Sequence, residues 1–322
     1  MKSDTHSTAL GTSSGIVPND CNHHGICMSF TSSDVKDDFA RFLFEEAGSS
    51  GRGTVSTYLR AIDVLSEALR ISHEAVSYNN DVWAIASPKE LLVLQKYVIE
   101  QQNLYVERGA GIFANLKAVG RSYFKNRWCS AAVRQLAKYR ETHIYEGRLQ
   151  KAFEEVSNGE ELSVKVEKTK LRNAECFIPE NVQLLSKEGK DAIIVTKRRI
   201  NQSVFRKWIM GIYGNACCVT GLNVPEVLRA SHIVSWANDK YNRMNPSNGL
   251  CLSATYDAAF DRHLISFDDD YRMVLSKKIR DFFDRDVCAA YFRDFEGMKI
   301  HLPSRFLPDR RLLERHRALL VS

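Results

Sequence analysis

The sequence predicts an α+β protein: an α-helical N-terminal domain over 34–141, then a C-terminal domain over 190–322 built on two short strands and a helix. Two patterns predict it. In the first half, apolar residues recur at the 3.6-residue spacing of amphipathic helices. In the second half, strand, loop, strand and helix follow one another between Arg229 and Arg262, with polar residues at their ends. A chain of 322 residues has room for about two domains, and 44% hydrophobic against 26% charged residues fits buried cores under a solvated surface.

Taken in order, residues 1–33 are rich in Ser, Thr, His, Gly and Asn without a period, and a disordered tail is expected. Cys21, His23, His24 and Cys27 have metal-binding chemistry, but their flanks carry no sign of order. Val35, Phe39, Phe42 and Leu43 mark a first helix; Val55, Tyr58, Leu59, Ile62, Leu65 and Leu69 mark a stronger second one. Gly48 to Gly53 between them is a turn. Ser87-Pro88-Lys89-Glu90 is a capping box with proline in the first turn, starting a helix through Leu91, Leu94 and Val98. A further helix is expected over Ser130–Glu141, with Val133, Leu136 and Tyr139 inward. Residues 142–189 are polar and read as a linker; Asp191–Thr196 reads as a short extended piece. Lys197-Arg198-Arg199 then opens a helix carrying Phe205, Trp208, Ile209 and Ile212, with Arg206 and Lys207 between its apolar positions.

Several function classes are excluded or disfavoured. No apolar run approaches the ~18 residues of a membrane-spanning helix, and Met1 to Ser33 lacks the apolar core of a secretion signal, so a cytoplasmic protein without membrane contact is expected. Glycine-rich phosphate loops are missing, so no nucleotide cofactor is expected. The eight cysteines are scattered without paired CxxC motifs; structural zinc is not expected, and Cys217, Cys218 and Cys251 read as buried thiols. The net charge of +6 is uneven: residues 1–160 carry −1 and residues 161–322 carry +7. A basic half beside a neutral one points to a polyanion, nucleic acid first.

The chemistry-bearing residues follow the strands. His232 closes the first strand, Asn248 stands 16 residues later before the second, and Asp257 and Asp261 follow His232 by 25 and 29 residues. A separation of four places both carboxylates on one helix face. Asp268 to Asp270 fit a hairpin turn between Leu264–Phe267 and Arg272–Leu275.

The ordered motifs Cys218-Val219-Thr220-Gly221, Ala230-Ser231-His232-Ile233, Asn245-Pro246-Ser247-Asn248-Gly249-Leu250, Asp257-Ala258-Ala259-Phe260-Asp261-Arg262 and Leu264-Ile265-Ser266-Phe267-Asp268 resemble the HNH endonucleases of the ββα-metal fold, especially the branch at the C-terminus of bacterial restriction endonucleases. The resemblance spans about a quarter of the chain. It implies a DNA endonuclease in defence against foreign DNA, acting as a homodimer if it cuts both strands. His232 would be the general base. Asn248 would orient it, through a ring nitrogen or by bracing the loop. Asp257, Asp261 and Ser231 would hold one divalent ion, Mg²⁺ or Mn²⁺ by the hardness of their oxygens. Many relatives have Asp where Ser231 stands, and the helix carboxylates would replace that charge. Arg198, Arg199, Arg206, Lys207, Arg229 and Arg262 are the expected DNA contacts; His263 is left without a role. The alternatives are a nicking or recombination nuclease of a mobile element, and a DNA-binding protein with a vestigial HNH fold.

Overall fold

The computed structural model describes residues 32–47, 52–72, 81–116 and 119–320. The Cys21–Cys27 motif, the tail before Ser32 and most of the Gly48–Gly53 turn lie outside the described residues. Helices α1 (Ser32–Ala47), α2 (Arg52–Ser72), α3 (Pro88–Arg108), α4 (Arg121–Lys125) and the first half of α5 (Trp128–Glu155) pack around one core. Phe39, Ile62, Leu65, Leu91, Leu94, Val98, Val133 and Leu136 are buried in it, on the faces their spacing predicts. The Ser87 hydroxyl accepts the Glu90 N–H at 3.3 Å and starts α3 as the capping box requires.

The second core begins earlier than the sequence predicts. Residues 142–155 continue α5 without a break, and 159–168 form α6 (Gly159–Lys168), so much of the expected linker is helical. Tyr145, Leu149 and Phe153 on α5, and Leu162 and Val166 on α6, recur every four residues and enter that core, while the Glu and Lys between them stay at the surface. Their density had masked the stripe. Asp191–Thr196 is likewise not extended. It lies inside α7 (Lys187–Ile212), whose first turn is capped by the Ser186 hydroxyl on the Gly189 N–H at 3.1 Å. The β-branched run Ile193-Ile194-Val195-Thr196 favours a strand locally, but it finds no strand partner among the described residues, and Ile194 stays 62% exposed on the helix.

The second core holds two small antiparallel sheets, β1 (Leu228–His232) with β2 (Gly249–Ser253), and β3 (Ile265–Phe267) with β4 (Met273–Leu275). Helix α8 (Ala254–Asp261) links them. Asp268 closes the β3–β4 turn, its carboxylate accepting the N–H groups of Asp270 and Arg272 at 2.9 and 2.8 Å. Two short helices, α9 (Lys277–Arg280) and α10 (Asp286–Tyr291), precede α11 (Arg310–Arg317). No described helix is long and apolar enough to cross a membrane.

Helix α11 clamps the end of α8 through His316. Its buried ring stacks on Phe260 at 3.7 Å, Nε2–H donates to the Phe260 carbonyl at 3.1 Å, and Nδ1 accepts the Ser266 hydroxyl at 3.0 Å. Burial, then the neighbouring His263, pushes its pKa down to about 4. The ring is neutral in both folded and unfolded states well above pH ~6.5 and affects stability little there. Below that the unfolded chain takes a proton that the folded ring resists, so stability falls as pH drops toward 4, by up to about 3 kcal/mol. Urea unfolding between pH 7 and 4.5 should show this loss, and His316→Asn should be less acid-sensitive than the parent.

Candidate active site

The site is built where α7 crosses the first sheet. His232 pairs with Gly249 across β1 and β2. A side chain at position 249 would collide with Phe205 and Ile209 of α7, so the glycine lets the helix lie directly on the sheet. That approach puts Phe205 parallel to the His232 ring, with centroids 4.0 Å apart and planes at 10°. Trp236 meets the ring edge-on at 5.5 Å. His232 Nε2 lies 3.0 Å from the Arg243 carbonyl oxygen. A carbonyl only accepts, so in the neutral ring Nε2 carries the proton and Nδ1 keeps a free lone pair. Burial lowers the His232 pKa, partly opposed by this hydrogen bond, and holds the ring neutral near pH 7.

Asn248 is fully buried, and its side chain forms no hydrogen bond with the His232 ring. Its Oδ1 accepts the Val234 N–H at 2.8 Å, and its Nδ2 donates to the carbonyls of Val234 and Asn242 at 3.0 and 3.1 Å. Its own carbonyl accepts the Ile233 N–H at 2.9 Å. The side chain ties down the loop that leaves His232 and returns past Arg243. Asn248→Ala is expected to cost about 2–4 kcal/mol in urea unfolding, since each buried group left unpaired costs ~1–3 kcal/mol.

Ser231, beside His232, is buried, and its hydroxyl donates to Asp257 Oδ1. Asp257 and Asp261 lie one turn apart on α8 and line one cavity of about 460 Å³ with Ser231, His232, Arg206 and Arg229. Partial burial raises the Asp261 pKa, and the charge of Asp257 raises it further, against the pull of Arg262 and His263. Among the described residues neither carboxylate forms an ion pair. Two hard oxygen donors that repel each other suit a divalent cation. No group of three or more His, Cys, Asp or Glu gathers closely enough to hold a metal among the described residues. Asp257, Asp261 and Ser231 would offer two carboxylates and a hydroxyl, a donor set that suits Mg²⁺, which retains several waters.

The cations divide. Arg206 and Arg229 line the cavity and are held on backbone carbonyls: Arg206 on Leu228 and Pro225 at 3.0 and 3.2 Å, Arg229 on Glu226 and Leu228 at 3.1 and 2.9 Å. Arg198 lines an adjoining cavity, with the exposed Arg199 next to it in sequence. Lys207 instead pairs with Glu146 of α5 at 3.5 Å, and Arg262 folds back onto the Ala258 carbonyl at 3.0 Å. Sequence reasoning missed Gln202 and Trp236, which also line the cavity, and Arg243, whose carbonyl holds His232. Phe205 and Trp236 carry an ordinary core signature, and Arg243 acts through its carbonyl, which leaves no side-chain signal. Cys217, Cys218 and Cys251 are buried; burial pushes the Cys218 thiol well up and the Cys251 thiol to about 12, which keeps both protonated.

Residues 217–268 match the family model described as HNH endonuclease. No curated protein matches the sequence. The matched segment runs from the buried Cys217 through β1, β2 and α8 to the end of β3, and holds His232, Asn248, Asp257 and Asp261. This strand–strand–helix unit, and not the whole chain, is what matches the HNH endonuclease family.

Proposed function

We propose that the protein is a DNA endonuclease that hydrolyses phosphodiester bonds with His232 as general base and one divalent ion, Mg²⁺ or Mn²⁺, held by Asp257, Asp261 and Ser231. The observation that carries this reading is the single cavity: it joins a neutral histidine with a free Nδ1, two adjacent carboxylates and two arginines. Arg206 and Arg229 would hold the non-bridging oxygens of the scissile phosphate. His232 Nδ1 would take the proton of the attacking water, while Nε2–H stays on the Arg243 carbonyl and fixes the ring plane. Phe205 and Trp236 would keep that ring from turning. A cation bound at the carboxylates supplies charge neutralisation at the phosphate and at the leaving oxygen.

One such cavity cuts one strand, so cutting both calls for two copies, and a homodimer fits that need. The basic half of the chain carries the cutting site, and the helical region over 34–141 takes the recognition role in this reading. The role that fits such a two-part enzyme is restriction of foreign DNA. Incubating supercoiled plasmid and modified and unmodified genomic DNA with Mg²⁺, Mn²⁺ or EDTA tests it. Cleavage only with the divalent ions is expected, and linear product marks the double-strand activity of a restriction enzyme. Intact DNA of every kind with both ions would overturn the reading.

A further inference from the structure

Beside the active-site cavity lies a second one of about 650 Å³, and Trp236 forms part of the wall of both. Its lining carries four cations, Lys197, Arg198, Lys240 and Arg243, against the single carboxylate Glu167. Arg198 and Lys240 form no hydrogen bond or ion pair with the described residues. Tyr241, in the same lining, is 81% exposed.

The loop that presents Tyr241 is firmly held. The Asp239 carboxylate accepts the N–H groups of Tyr241 and Asn242 at 3.1 and 3.2 Å and pairs with Arg315 of α11 at 3.1 Å. Asn248 fixes the same loop at Val234 and Asn242. An exposed ring on a rigid support, flanked by unpaired cations, matches what a single strand needs: a face for a base and charges for its phosphates. The indole N–H of Trp236 adds a buried donor with no partner, in the wall the two cavities share.

We propose that this second cavity is a subsite for an unpaired nucleotide of the strand being cut, its base stacked on Tyr241 and its phosphate on Arg198 and Lys240. The proposal rests on the nuclease reading and deepens it: the substrate becomes DNA with an unpaired segment beside the cut. Arg243 connects the two cavities. Its guanidinium lies over Trp236 at 5.6 Å, its Nε–H donates to the Trp236 carbonyl at 2.8 Å, and its own carbonyl holds His232. A nucleotide seated there would press on the residue that orients the base.

The test is fluorescence anisotropy in EDTA with a labelled oligothymidine and the same strand carrying abasic sugars. The wild-type chain is expected to prefer the strand with bases. Tyr241→Ala should weaken the oligothymidine about 5-fold or more and leave the abasic strand unchanged. Arg198→Ala with Lys240→Ala should keep the preference for bases but reduce the slope of log affinity against log salt by about 0.7, the value for one phosphate contact on a single strand. No preference in the wild type, equal weakening of both strands by Tyr241→Ala, or an unchanged salt slope would each overturn the subsite. Plasmid cleavage run alongside separates the two readings. Cleavage without base preference removes the subsite alone. Base preference without cleavage removes the nuclease reading and leaves a single-strand-binding cavity.

Discussion

His232→Ala is expected to reduce DNA cleavage by about 10²–10⁴-fold or more, the range over which a positioned acid–base group contributes, while DNA binding in EDTA stays near wild type. Nε2 is committed to the Arg243 carbonyl, so Nδ1 is the nitrogen left to take a proton. The same chain contains an instructive contrast. His316 is also buried, with a pKa pushed down to about 4, but both its ring nitrogens are occupied, by Ser266 and by the Phe260 carbonyl. A lowered pKa therefore does not distinguish the two histidines; a ring nitrogen left without a partner, on a residue that lines the cavity with the carboxylates, does. The pH dependence follows with a definite sign. Protonated His232 cannot accept a proton, so kcat/KM falls as pH drops through its pKa. Burial places that pKa below the ordinary ~6.5 of histidine. An acid limb of the pH–rate profile above 6.5, or full activity in His232→Ala, would assign the base elsewhere.

The sequence carried this site unevenly, for physical reasons. His232, Asp257 and Asp261 were legible because side-chain chemistry and the four-residue helical spacing are written directly in the chain, and the structure sets all three around one cavity. Ser231 was legible as an oddity, and its hydroxyl turns out to bond to Asp257. What the sequence left open at Asn248, ring or loop, is a matter of distances, and its amide reaches the loop. Lys207 and Arg206 are neighbours in sequence, but helical rotation sends one to Glu146 and the other to the cavity. In the fold, the helices of the first core announced themselves by their apolar stripes. The α5 continuation and the start of α7 did not: in one, charge hid the stripe, and in the other, β-branched residues spoke for a strand that finds no partner among the described residues.

Asp257→Asn with Asp261→Asn is expected to abolish both cleavage and metal binding while leaving the metal-free protein at least as stable as the parent. Asparagine is chosen over alanine because Ser231 is buried and needs an acceptor; an amide oxygen at position 257 can still take its proton, whereas alanine would orphan it. The stability claim follows from the raised pKa of Asp261. A carboxyl that is harder to ionise in the folded state than in the unfolded one loses stability once pH exceeds its ordinary value of ~3.9, so at pH 7 the charged pair is a liability that the amides remove. In the parent, Mg²⁺ or Mn²⁺ should reverse that liability. A ligand at a hundred times its Kd adds about 2.7 kcal/mol, visible as a rise in Tm. The double variant should show neither the rise in Tm nor heat of binding by calorimetry. A variant that lost cleavage but kept the metal-dependent rise in Tm would show that the cation sits elsewhere. A variant that lost stability without metal would show that the carboxylates hold the fold rather than an ion.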